Sequence, residues 1–157
     1  MNDVKEVIVL FKTHLDIGYT DLAGNVRERY LNSYIPKALR LAKELREKEG
    51  KRVFVWTTGS WLIAEYLRCA GPEGRAAMEE AIAAGDISWH GLPFTTHTEI
   101  MDTDLVKYGI GIAQQLDKTY GRRSLAAKLT DVPGHTRGLV SLLAGAGIEF
   151  LHIGVNP

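Results

Sequence analysis

Three short stretches hold most of the side chains able to bind a cation or move a proton. The first is Thr13-His14-Leu15-Asp16-Ile17-Gly18-Tyr19, which follows a run of apolar residues. His14 and Asp16 stand two apart, so in an extended chain their side chains point to the same side. An imidazole nitrogen and a carboxylate oxygen placed together suit Zn²⁺ or another borderline divalent metal. Gly18 lets the backbone turn, and Tyr19 offers a ring to a sugar face. The same pair also suits a loop histidine hydrogen-bonded to a nearby aspartate.

The second stretch is Asp131-Val132-Pro133-Gly134-His135-Thr136. Asp131 leaves an apolar strand as a carboxylate, which is costly unless a cation or donors meet it. Pro133-Gly134 makes a tight turn. Asp131 alternatively caps the following helix or orders the turn. His135 orients Asp131, contacts a substrate hydroxyl, or ties down the loop. The third stretch is Trp89-His90-Gly91-Leu92-Pro93-Phe94-Thr95-Thr96-His97-Thr98-Glu99. Its aromatic, histidine and hydroxyl groups suit a carbohydrate. His97 and Glu99 are candidates for substrate contact or for loop structure, and His90 reads as a satisfied core histidine. Trp56 and Trp61, on either side of Thr57-Thr58-Gly59, read as core packing, with stacking on a sugar as the alternative.

The elements that must position these groups follow from periodicity and punctuation. Val7 to Phe11 is a β-rich apolar run, expected of a strand buried on both faces. Residues 13–25 read as a loop, and a helical stretch follows to Lys48. Pro36 is expected to break a single long helix, with Ser33 capping a new helix that carries Pro36 in its first turn and that Gly50 ends. Arg52 to Trp56 reads as a second strand, Ser60 to Ala70 as a short helix, and Pro72 to Gly85 as another. Asp86 to His90 is a third strand, and Thr103 caps a helix to about Tyr120. Ala126 to Thr130 is a fourth strand, Gly138 to Ala146 a small-residue helix, and Ile148 to Ile153 a fifth strand.

Strands alternating with helices predict parallel strands joined by crossovers, hence an α/β sheet or barrel. Such folds gather their sites at the carboxyl ends of strands, which is where all three stretches fall. A complete barrel of this kind runs to about 250 residues. The 157 residues therefore read as one partial catalytic domain, 1–157, with about five strands and helices outside. A partial barrel leaves open edges, so a homo-oligomer through the open edge is an expectation.

Composition narrows the partners. Nineteen basic residues balance nineteen acidic ones, which gives no electrostatic reason to expect nucleic acid. No segment is long and apolar enough to span a membrane or to act as a signal peptide, which makes a cytoplasmic location the expectation. The single cysteine, Cys69, excludes an internal disulfide and reads as a small core residue.

Taken together, the first two stretches resemble glycoside hydrolase family 38, the zinc α-mannosidases. That family carries His-x-Asp-x-Gly-aromatic after its first strand, matched by His14-Leu15-Asp16-Ile17-Gly18-Tyr19. It carries Asp-x-x-Gly-His-Ser/Thr after its fourth, matched by Asp131 to Thr136. The family commonly has Pro at the place of Ile17, Trp at that of Tyr19 and Pro-Phe at Val132-Pro133, so the chain resembles a divergent branch. The resemblance spans the chain and the first part of the family's catalytic domain. It implies an incomplete seven-stranded barrel of the glycoside hydrolase/deacetylase type. It implies Zn²⁺ held by His14, Asp16 and Asp131, with Asp131 also the nucleophile of a retaining reaction. It implies a carbohydrate substrate, for which Tyr19, His97, Glu99 and His135 are the contact candidates. The family's remaining histidine ligand and acid/base carboxylate lie farther along its chain. Two other readings remain open: a metal-dependent carbohydrate deacetylase or hydrolase using a metal-activated water, and a non-catalytic carbohydrate-binding fragment.

Overall fold

The computed structural model describes residues 3–154. Five strands alternate with six helices: β1 (Phe11–Lys12), α1 (Ala23–Arg29), α2 (Ile35–Glu49), β2 (Trp56–Gly59), α3 (Ser60–Cys69), α4 (Pro72–Ala84), β3 (Ile87–His90), α5 (Thr103–Tyr120), β4 (Ala126–Thr130), α6 (Gly138–Gly145) and β5 (Phe150–Gly154). Every paired strand is parallel. β1, β2 and β3 form one ladder and β4 and β5 another. A bond from Gly91 N–H to the Ala126 carbonyl, at 2.8 Å, stitches β3 to β4. The strands thus follow chain order across one curved layer with helices packed outside, an arc of a β/α barrel.

Two apolar cores lie between strands and helices. Ile35, Leu39, Ile63, Met78 and Ile82 pack α2, α3 and α4 onto Trp56, Ile87 and Trp89. Val106, Ile110, Leu139 and Leu143 pack α5 and α6 onto Ala127 and Leu129. Alternation along β4 follows directly: Ala127 and Leu129 are buried under helices, whereas Lys128 and Thr130 line the opposite face.

The carboxyl ends of the strands are tightly tied. The amino terminus of α3 has no side-chain cap. Its Ser60 and Trp61 N–H groups instead donate to the Leu92 and Pro93 carbonyls, at 3.1 and 3.2 Å. This brings the loop after β3 against Gly59, where a Cβ would lie 2.1 Å from the Pro93 oxygen. Glycine is required there by close approach of two backbones.

Several expectations are corrected. Val7 to Leu10 is not a strand buried on both faces. Only Phe11 and Lys12 pair, with Trp56 and Thr57, and Val7, Ile8, Val9 and Leu10 are 67–77% exposed. The second strand lies at Trp56–Gly59 rather than Arg52–Trp56, so the preceding residues offer no ladder to the earlier part of β1. Ser33 does not cap the second helix, although Pro36 stands in the first turn of that helix as expected. Residues Tyr30–Tyr34 form a π-helical turn that joins α1 to α2. The register shift places the missing proline N–H where it breaks no ladder. The cap of α5 is Asp102, not Thr103: its carboxylate accepts from Leu105 N–H at 2.8 Å. Cys69 is exposed rather than a core residue, with Sγ 3.0 Å from an Arg27 guanidinium nitrogen. Trp56 is in the core as expected, and Trp61 packs edge-on to Phe94. No helix among the described residues is long and apolar enough to cross a membrane.

Candidate metal centre

His14 leaves β1 along a path set by several bonds. Thr13 N–H donates to the Thr57 carbonyl at 3.0 Å, continuing the ladder one residue past Lys12. The Trp56 indole N–H donates to the Thr13 hydroxyl, and the Tyr30 hydroxyl to the His14 carbonyl at 3.2 Å. The loop backbone is thus anchored to β2 and to the π turn, which leaves the His14 ring free to face inward.

Asp131 is placed by β5. Its N–H donates to the Gly154 carbonyl at 2.8 Å, extending the β4–β5 ladder past Thr130. Its φ of 68° makes it the one non-glycine residue in the left-handed region among the described residues. Aspartate tolerates that region better than most residues. Such local strain persists where the surroundings demand a particular aim, and it concentrates at functional sites.

Together the two loops bring three ligand atoms within 4.8 Å of one another, from His14, Asp16 and Asp131. His14 Nε2 lies 2.7 Å from Asp16 Oδ1 and 3.6 Å from Asp131 Oδ2. The shorter approach lacks hydrogen-bond geometry, and both His14 ring nitrogens are buried with no hydrogen-bond partner. Two carboxylates and an imidazole aimed at one point, with the ring nitrogen unsatisfied, need a proton or a metal ion between them. The donor set of one nitrogen and two carboxylate oxygens fits zinc.

The other candidates are placed unevenly. Glu99 follows β3 and its carboxylate lies over Gly134, within 2.7 Å of where a Cβ would stand. It therefore sits against the turn that Asp131 opens. His135 is pinned through Nδ1 to the Thr98 hydroxyl at 3.2 Å. Tyr19 is 89% exposed, and the His97 side chain is exposed as well. No hydrogen bond or ion pair among the described residues links either to the trio. His90 is half-buried and belongs to neither apolar core; burial, then the nearby Lys128 ammonium, pushes its pKa down to about 4. A neutral ring accepts from Leu92 N–H at 3.3 Å and stabilises the loop after β3.

Two residues were not legible as site residues. Lys128 occupies the inward face of β4, near Thr130, and its pKa is lowered to about 8 by burial and by Lys12. Thr58 is 1% exposed with its hydroxyl unpaired, and lines the same small cavity as His14, His90 and Lys128. The available signal was a lysine within the otherwise apolar run Ala126-Ala127-Lys128-Leu129.

No family model matches the chain. No curated protein matches it either. Among solved structures, it is similar to a 4-alpha-glucanotransferase from Thermococcus litoralis, with a TM-score of 0.63 and 19% sequence identity. The match covers 90% of this chain and 21% of that one, so the chain spans about a fifth of the length of its structural relative. At that identity the likeness establishes the parallel β/α fold with helices outside. The trio itself follows the carboxyl ends of β1 and β4, the end of the strand layer at which parallel β/α folds build their sites.

Proposed function

We propose that the chain is the metal-binding part of a zinc-dependent, retaining glycoside hydrolase of the α-mannosidase type. The observation that carries this reading is the convergence of His14, Asp16 and Asp131 from two motifs at opposite ends of the chain. The fold it shares with a 4-alpha-glucanotransferase supports carbohydrate as the substrate class.

In this reading His14 and Asp16 hold the metal, and Asp131 shares it. When bound, zinc supplies a positive charge that holds sugar hydroxyls and favours ring distortion. Asp131 attacks the anomeric carbon as the bond to the leaving oxygen breaks, and a second carboxyl group protonates that oxygen. Water then cleaves the resulting ester, and configuration is retained by two inversions. In the resembled family the second carboxyl lies farther along the chain. Glu99 and His135 flank the Asp131 turn and serve substrate binding. Tyr19 and His97 offer an exposed ring face and an exposed imidazole to the sugar.

The test is hydrolysis of aryl α-mannosides with added zinc, by the chain and by any longer protein that carries it. Turnover that Asp131→Asn abolishes supports the assignment. Undiminished turnover in Asp131→Asn removes Asp131 as nucleophile. Release of acetate from acetylated sugars, without glycoside cleavage, would replace this reading with a metal-dependent deacetylase.

A further inference from the structure

Thr98 belongs to neither motif. It opens the 3₁₀ turn Thr98–Ile100 and is only 2% exposed. Its hydroxyl oxygen accepts from Thr136 N–H at 3.2 Å and lies 3.2 Å from His135 Nδ1. A hydroxyl has a single proton to give. Among the described residues no other acceptor meets it. Were Nδ1 protonated, it would donate to Thr98 and leave the buried Thr98 proton with no acceptor, which is costly. With Nδ1 bare, Thr98 donates to it and Thr136 donates to Thr98, which leaves only the Nε2 proton without a partner; with Nδ1 protonated, both the Thr98 proton and Nε2 would lack one.

We infer that Thr98 fixes His135 as the Nε2–H tautomer, making it a hydrogen-bond donor and barring it from the metal's ligand set. Neutral imidazole binds a metal through an unprotonated nitrogen. In His135 one nitrogen is engaged by Thr98 and the other carries the proton. Nε2 is buried and meets no acceptor among the described residues. A donor in this state, on the turn that Asp131 opens, suits an oxygen brought by a ligand. A carbohydrate hydroxyl is that oxygen, a clause that rests on the proposed function; the tautomer does not. Thr98 is thus a positioning residue that links the loop after β3 to the Asp131 turn.

The experiment is long-range proton–nitrogen NMR on the chain with ¹⁵N-labelled histidine, at neutral pH, before and after adding zinc chloride. His135 is assigned by its loss in His135→Gln. The expected spectrum has a pyridine-type Nδ1 and a pyrrole-type Nε2 for His135. Thr98→Ser keeps that pattern, and Thr98→Val moves it toward the Nδ1–H form. Zinc shifts the His14 nitrogens and leaves those of His135 in place. A predominant Nδ1–H form in the wild-type chain overturns the inference, as does a His135 Nε2 that turns pyridine-type and follows zinc. If Thr98→Val does not fold, the wild-type and Thr98→Ser spectra still decide. A His14 that ignores zinc sinks the metal reading while the tautomer result stands.

Discussion

His14 Nε2 and Asp131 Oδ2 stand 3.6 Å apart although one follows the first strand and the other the fourth. His14 is half-buried and Asp131 exposed, and the pair is made only when β1 and β4 take their places in the same layer. With no metal present, His14→Ala removes a ring with two unsatisfied buried nitrogens. Leaving a buried donor or acceptor unmade costs about 1–3 kcal/mol. The variant should therefore cost less in chemical denaturation than loss of a packed side chain of that size. A destabilisation above about 3 kcal/mol would mean that His14 holds the fold rather than a ligand.

Gly134 has two reasons to be glycine: its φ is 74°, and Glu99 occupies the space a side chain would need. Gly134→Ala should cost about 1–2 kcal/mol from the left-handed backbone alone, and should push the Glu99 carboxylate away from the turn. Combined with Glu99→Ala, the second penalty disappears and the costs fall short of additive. Fully additive effects in urea melts would show that Glu99 does not pack on the turn.

Gly59 and Gly111 predict opposite outcomes for the same substitution. A Cβ on Gly59 meets the Pro93 backbone oxygen at 2.1 Å, and neither backbone is free to yield. Gly59→Ala should fail to give folded protein. Gly111 lies in α5 with nothing within 4 Å of a Cβ. Gly111→Ala should stabilise by up to about 1 kcal/mol, the difference in helix propensity. Equal melting temperatures for the two variants would contradict the packing described for the β2 end.

His90 makes the fold sensitive to mild acid. Its pKa falls from the usual 6.5 to about 4 because burial disfavours the charged ring and Lys128 lies close by. The unfolded chain binds a proton at His90 below pH 6.5, whereas the folded chain resists until about 4. Stability from this group is complete above pH 6.5 and declines as pH falls toward 4, by up to about 3 kcal/mol. His90→Gln should flatten that part of the pH profile. An unchanged slope between pH 6.5 and 4 in the variant would place the titration elsewhere.

The exposed run Val7 to Leu10 and the exposed Phe150 and Ile153 of β5 leave apolar surface and unpaired strand at the two ends of the layer. The chain by itself should associate with rising concentration. Val9→Lys should lower the apparent mass on sizing chromatography. A wild-type chain that stays monomeric across the range would remove this expectation.

Much of the fold was legible because strand–helix alternation depends on local pattern. Ala126–Thr130 matched in full, and Pro72 and Gly85 bounded a helix as their backbone preferences require. The misplacements have a shared physical origin. Whether Val7 to Leu10 is a strand depends on a partner strand, not on its own residues. Whether Pro36 breaks a helix depends on whether the previous turn can widen, and the π turn at Tyr30–Tyr34 does so. The trio was legible through its motifs, since His-x-Asp and Asp-x-x-Gly-His state which groups leave the strands. Thr98 and Lys128 were not, because a threonine or lysine at those places acquires meaning only from its neighbours across the barrel layer.

His14, Asp16 and Asp131 are proposed to form one metal site. Calorimetric titration of the chain with zinc chloride at neutral pH tests it most directly. One zinc should bind per chain, and His14→Gln or Asp131→Ala should each weaken binding by about 100-fold or more, beyond the 10–100-fold cost typical of residues outside the ligand set. Absence of binding, or binding that both variants leave intact, would contradict the account.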